Sequence, residues 1–244
     1  MRSFFAIYFR ELSACFLSPI AYVIGTFFFL GTTFTFMFGV ESNNGEVQSL
    51  VTLLIYAIML WHPMLVTVVC MRLFAEEKRS GTLEVLMTAP ISETQIIMGK
   101  YAGALTFIML LSLPVATCLF ILKSLNPSIQ FFDYGALYGG LLIIVLASSY
   151  FTAIGMFISL LTKNQIIAAI GCFFVLWLLV LFGNILSTLP FYKIAKWGDM
   201  FSFVLHIEEF TRGSIDSRVL VQYVVGVWLI LFVSIRILET RRWL

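Results

Sequence analysis

EEKRSGTLEVLMTAPISETQ, residues 76–95, decides how the rest of the chain is read. It gathers Glu76, Glu77, Lys78, Arg79, Glu84 and Glu93 into a sequence with only 11% charged residues, and long apolar runs without a charge flank it on both sides. Of 244 residues 61% are hydrophobic and 16% aromatic, and the mean hydropathy is +1.01. Soluble domains hold roughly 45–50% apolar and about 25% charged residues. This chain is a membrane protein, and the insert is the part that must stay in water.

Working outward from the insert, apolar charge-free runs cover residues 12–40, 47–71, 101–122, 134–162, 164–192 and 219–235. A spanning helix needs about 20 apolar residues and no fewer than about 17, so each run crosses once. The expected spans are 20–40, 50–73, 94–122, 134–162, 165–187 and 217–238. The last run is the shortest, and its flanking Arg218 and Arg236 can snorkel to the two interfaces. With the N-terminus inside, ten Lys and Arg side chains fall on inner segments and five on outer ones, and the loop over residues 41–49 has neither. The positive-inside rule therefore puts both termini and the insert in the cytoplasm.

The insert reads as three short helical pieces. The second span continues through Arg72 and Phe74 to about Arg79, and Ser80-Gly81 breaks it. Leu83, Leu86 and Met87 then share one side of a short helix, residues 80–90, that Pro90 ends. Ser92-Glu93-Thr94-Gln95 matches a capping box at the start of the third span. A small knob with an apolar stripe and a charged rim suits docking of a helix in the groove of a soluble partner.

Residues 1–18 are apolar but broken by Arg10 and Glu11, which bars an ordinary span. Phe5, Phe9, Leu12 and Phe16 share one helical face while Ser3, Ala6, Arg10 and Ser13 share another, as in a helix lying in the interface. Ser18-Pro19 supplies a cap and a first-turn proline for the first span. Pro63 and Pro114 are expected to kink the second and third spans. Residues 187–216 are too charged to cross, and Trp197, Phe201, Val204 and Leu205 make a stripe that suits a short helix dipping into the outer interface. Gly99-x-x-x-Gly103 and Gly135-x-x-x-Gly139 permit close helix approach, here expected within one subunit. Cys15, Cys70, Cys118 and Cys172 lack CxxC spacing and read as small buried apolar residues.

The missing residues also inform. No span is expected to carry a buried Asp, Glu, Lys or Arg, which argues against ion-coupled transport. His62 is the one ionisable side chain deep in a span, with no acidic neighbour there. No HExxH, GxSxG or phosphate-binding loop occurs, and the carboxylates are expected in loops. The chain is therefore not expected to be an enzyme or to hold ATP, and a six-span lipid enzyme is disfavoured.

At these residues the chain resembles a family. EEKRSGTLEVLMTAPISETQIIMGKY, residues 76–101, is similar to the segment between the second and third spans of ABC-2 type permeases, the membrane subunits of ATP-binding-cassette exporters. YFRELSACFLSPIAYV, residues 8–23, resembles their elbow helix, and FTRGSIDSRVLVQYVV (210–225) with the terminal ETRRWL (239–244) resembles the subgroup of gliding-motility permeases. The likeness runs in order over nearly the whole chain.

The resemblance implies an all-α polytopic protein of the type V exporter kind. It would have an elbow helix over 1–18, a transmembrane domain of six helices over 19–244, a coupling helix and an outer re-entrant element. It implies residence in a bacterial inner membrane, a second permease copy (identical or homologous), and two copies of an ATPase that binds ATP and Mg for the complex. Membrane lipid and an accessory envelope subunit are compatible partners; nucleic acid is not. Carried over by position, Glu76, Glu77, Arg79, Gly81, Thr82, Leu83, Glu84 and Leu86 would contact the ATPase. Thr32, Thr33, Phe34, Phe36 and Phe38 are the candidate translocation surface. ATP-driven closure would push the knob as a rigid lever bounded by Gly81 and Pro90, moving substrate outward. The gliding likeness allows an alternative, a permease-like scaffold that passes ATPase force to envelope machinery without moving cargo. A neighbouring gene for an ATPase would favour either reading over an enzyme.

Overall fold

The computed structural model describes residues 2–42, 47–83, 86, 91–125, 134–187 and 198–242. Its helices, in chain order, are α1 (Arg2–Phe16), α2 (Pro19–Ser42), α3 (Val47–Cys70), α4 (Ala75–Ser80), α5 (Glu93–Leu125), α6 (Tyr134–Leu161), α7 (Gln165–Ser187), α8 (Phe203–Thr211) and α9 (Ser217–Arg242). There is no strand among the described residues. Six segments are long and apolar enough to cross a membrane: Pro19–Glu41, Leu50–Ser80, Glu93–Val115, Gly135–Leu161, Gln165–Leu186 and Ser217–Thr240. The protein is an all-α, multi-pass membrane protein.

Helix α6 is the hub, packing against α3, α5, α7, α8 and α9. Lipid is as apolar as a leucine, so close van der Waals fit rather than escape from water must hold these helices together. The α6 sequence supplies that fit with buried small residues: Ala147, Ser148, Thr152, Ala153 and Gly155. At Gly155 a Cβ would sit 2.8 Å from Cys70 Cβ and 3.1 Å from Cys172 Sγ, so the two buried thiols fill the space that glycine leaves. Cys15, Cys70 and Cys172 are all unbridged. By contrast α2, α7 and α9 turn large side chains outward, among them Phe27, Phe34, Phe174, Phe182 and Trp228.

Local chemistry sets the helix ends. Ser18 O accepts from Ala21 N at 3.1 Å at the entry of α2. Ser92 O accepts from Ile96 N at 3.1 Å and its Oγ from Gln95 N at 3.4 Å, so the cap at the start of α5 is in place. Pro63 lies inside α3 and Pro114 inside α5, and each helix continues past it.

One expectation is refined. The second span reaches Ser80 as expected, but not as one helix: α3 stops at Cys70, and the chain turns over residues 71–74 and restarts as α4. Ser159 of α6 stabilises this joint. Its Oγ accepts from the backbone amides of Phe74 and Ala75, both at 3.2 Å, and donates to Met71 O at 3.3 Å. A side chain of another helix thus satisfies backbone groups that the break frees. Past α4, Gly81 takes a φ of 73°, a left-handed cap that glycine adopts without strain.

Candidate functional site

The charged end of the bundle is built where three separate stretches of chain meet. Helix α1 lies along α5, and the two approach closely because Gly99 and Gly103 carry no side chain. A Cβ at Gly99 would come within 2.9 Å of Ile7 Cγ2, and one at Gly103 within 3.0 Å of Glu11 Cβ and 3.2 Å of Tyr8 O. The small-residue motif thus seats the elbow helix, inside one subunit. Its seat buries Ile7 and Glu11, while Phe5 and Phe9 face outward. The expected stripe is split: Leu12 packs on the core and the Phe16 ring lies edge-on to Phe107 at 5.0 Å, so only Phe5 and Phe9 form the free face of the elbow.

Lys100 stands at the centre of this meeting, about two turns inside α5, with its side chain only 1% exposed. Its Nζ donates to Glu11 Oε1 at 2.8 Å and to Leu73 O at 2.8 Å, and pairs with Glu77 Oε1 at 2.9 Å. The ammonium also sits 5.1 Å from the centre of the Phe74 ring. Arg10 closes the network by donating through Nη2 to Glu11 at 2.8 Å and Glu77 at 2.7 Å. Nearby, Arg72 binds Glu76 at 2.8 Å and Ser18 Oγ, which ties the start of α2 to the joint. Two readings are corrected here: a helix that spans does carry a buried charge, Lys100, and two of the carboxylates, Glu11 and Glu77, lie on helices inside the fold.

This arrangement makes a clamp. Two carboxylates from α1 and α4 share one ammonium from α5, so the elbow, the knob and the third span are held as one charged joint. Burying charges is tolerable only when they are paired and hydrogen-bonded in this way.

The residues singled out for docking separate into two sets. Arg79, Gly81 and Thr82 are exposed, and Glu76 is partly so; Glu77 is engaged with Lys100 and Arg10, while Leu83 is buried and Leu86 packs on the core. Glu84 and most of residues 80–90 lie outside the described residues. Lys78 turns back and donates to Leu160 O.

On α2, Thr33, Phe34 and Phe38 are exposed, with the Phe34 and Phe38 rings 5.8 Å apart. Phe36 is buried in the core, and Thr32 is buried with its hydroxyl donating to Phe28 O at 2.7 Å. The five residues therefore do not form one surface. His62 is fully buried between Phe28 and Phe151, its Nε2 2.7 Å from Ser148 Oγ. That contact gives a core histidine one satisfied nitrogen.

At the far end of the bundle, Ser202 caps α8 by accepting from Leu205 N. Trp197 lies outside the described residues, Phe201 is exposed, and Val204 and Leu205 are partly buried. The face that packs is a different one, made of Phe203, His206, Ile207 and Phe210. It leans on α6, and Tyr56 of α3 donates to Glu208 at 3.0 Å. The helix is fastened to the bundle rather than laid on its rim.

The two ends differ in their response to acid. Burial alone pushes the Glu11 carboxyl up, but Lys100 and Arg10 overcome it and hold the group below its ordinary 4.5. Burial lowers His206, whose Nδ1 faces Tyr223 OH at 3.2 Å, from 6.5 to about 4, against a weaker opposing pull from Asp216. A lowered carboxylate stabilises the fold above its ordinary value, and that contribution is lost as pH falls through the lowered one. A histidine kept neutral loses ground earlier, because below 6.5 the unfolded chain takes up the proton and the folded one does not. Hydrogen exchange, corrected for its intrinsic pH dependence, should show residues 203–211 losing protection between pH 6.5 and 4. Residues 2–16 should keep theirs until below 4.5. Simultaneous loss would refute the assignment.

The family model described as ABC-2 family transporter protein matches residues 12–180. A search of curated proteins gives no match.

Proposed function

The chain belongs to the ABC-2 transporter family, and from that premise we propose that it is an export permease driven by an ATPase docked on its charged end. As a family member it is a multi-pass permease subunit of an ABC transporter, a partner of an ABC ATPase and not itself the catalyst. The finer reading places that end in the cytoplasm of a bacterium, with the chain in the inner membrane. Two ATPase copies would bind ATP and Mg there, and a second permease copy would sit beside this one. The reading uses the family and not the gliding-motility likeness, whose residues lie outside 12–180.

The clamp at Lys100 is the observation that supports force entering here. A push on the exposed Arg79–Gly81–Thr82 corner bears on α4, whose Glu77 is bonded to the third span through Lys100 and to the elbow through Arg10. The break at residues 71–74 separates α4 from α3, while Ser159 and Lys100 tie the joint to α6 and α5. Force would therefore travel sideways, from the knob into α5 and α1, more than straight up the second span. Thr33, Phe34 and Phe38 on the exposed side of α2 would face the second copy, and substrate would pass between the two.

Charge reversal at the corner tests the docking. Arg79→Glu with Thr82→Glu, which turns the corner from positive to negative, should reduce co-purification of a tagged ATPase by at least about tenfold, a loss of ~1.4 kcal/mol or more. Both positions are exposed, so folding should be unaffected. Undiminished recovery would refute docking at this corner.

A further inference from the structure

A cavity of about 280 Å³ opens between α1, the start of α2, the joint and α5. Its wall carries three cations and three carboxylates: Arg10, Arg72 and Lys100 with Glu11, Glu76 and Glu77. Its floor is apolar, formed by Ile24, Val69 and Phe107. A second crevice, of about 150 Å³ and lined by Gly25, Phe29 and Leu111, shares Ala21 and Phe107 with the cavity. It lies beside the cavity as an apolar crevice between the first and third spans.

We propose that this cavity seats the head group of a phospholipid bearing a primary amine, with one acyl chain laid in the crevice. The wall has as many positive as negative side chains, which suits a zwitterion rather than a net anion. Lys100 already has three acceptors, so it offers a ligand nothing. Arg10 and Arg72 are the cations still open, with side chains 50% and 34% exposed, and guanidinium groups suit phosphate. On the same wall Glu77 Oε2 is buried with no hydrogen-bond partner among the described residues. Buried acceptors are nearly always paired, and this one calls for an N–H donor that a primary ammonium has and a quaternary one lacks.

Size agrees with this division. The cavity lies just below the ~300–1,000 Å³ of whole small-ligand sites, so it takes a head group and leaves the chains outside. The position agrees as well, because both spaces open at the end of the bundle where interfacial α1 meets two spans. The inference needs the chain to be in a membrane and does not depend on an ATPase docking.

The test is native mass spectrometry of the full chain, purified in detergent and offered equal amounts of phosphatidylethanolamine, phosphatidylcholine and phosphatidylglycerol. The amine lipid should be retained about tenfold over each of the others. Ala14→Trp, filling the cavity from the exposed side of α1, and Gly25→Leu, closing the crevice against Leu111, should each cut that retention by a similar factor. Water-soluble glycerophosphoethanolamine should compete poorly, since it has no chain for the crevice. Equal retention of the three lipids, preference for the anionic one, indifference to both substitutions, or full competition by the soluble head group would each overturn the proposal.

Discussion

Lys100→Met should lower the stability of the chain by about 3–5 kcal/mol, the cost of removing one partner from a buried ion pair. Methionine preserves most of the aliphatic stem, so the loss is electrostatic rather than steric. Glu11 Oε1 and Glu77 Oε1 lie 2.8 and 2.9 Å from the same nitrogen. Without it, two carboxylates with side chains only 12% and 16% exposed face each other, with the half-exposed Arg10 as their remaining counterion. Leu73 O loses its donor too. A second variant separates charge from packing. Lys100→Met combined with Glu11→Gln and Glu77→Gln removes the repulsion, and most of the lost stability should return, because neutralising a whole buried cluster costs far less than orphaning one member. Thermal unfolding of the purified chain near pH 7 reads both. A methionine variant as stable as the parent, or a triple variant no better than the single one, would show that the clamp does not hold the elbow and the knob together.

That network was hard to see in the sequence for a definite reason. Counting charge-free runs assigns Lys100 to a flank, because the count starts at Tyr101. Yet its partners are 89 residues away at Glu11 and 23 at Glu77, and no local period links them. The sequence did show the small residues that bring the helices together. Gly99-x-x-x-Gly103 predicts a close approach, but only the structure names α1 as the element that makes it. The same contrast holds at the joint. Gly81 is legible as a break because a left-handed cap needs glycine. The break at residues 71–74 is not, since Met71, Arg72, Leu73 and Phe74 carry no turn signal and the stabilising hydroxyl comes from Ser159. At the far end a lipid-facing stripe was read through Val204 and Leu205. The actual packing face includes His206, a residue that a search for apolar periodicity passes over.

Gly139→Val should have a comparably large effect at the far end, for the opposite reason: space rather than charge. A Cβ at Gly139 would lie 2.0 Å from Phe210 O and 2.9 Å from Phe210 C, so the clash is with backbone that cannot rotate away. Gly183 of α7 makes a matching contact, its added Cβ falling 2.1 Å from Phe201 O. Two spans thus grip backbone at the two ends of α8, Phe201 just before it and Phe210 in its last turn, through residues without side chains. Overpacking typically costs about 1–3 kcal/mol and more where backbone must move, so valine at 139 should lift the end of α8 off α6. The Ser202 cap and the Tyr56–Glu208 hydrogen bond lie on other parts of that element, so the helix should detach at its end while remaining helical. Hydrogen exchange should report faster labelling across residues 203–211 and little change in residues 93–115. Gly171→Ala is the control, because its Cβ would meet only Ile158 Cγ2, at 3.4 Å. Removing a helical glycine there should be neutral or stabilise by up to ~1 kcal/mol. Unchanged exchange in the Gly139 variant would mean that α8 is not seated through this contact, and equal damage from both substitutions would point to a general intolerance of α6 and α7 rather than to the grip on Phe210.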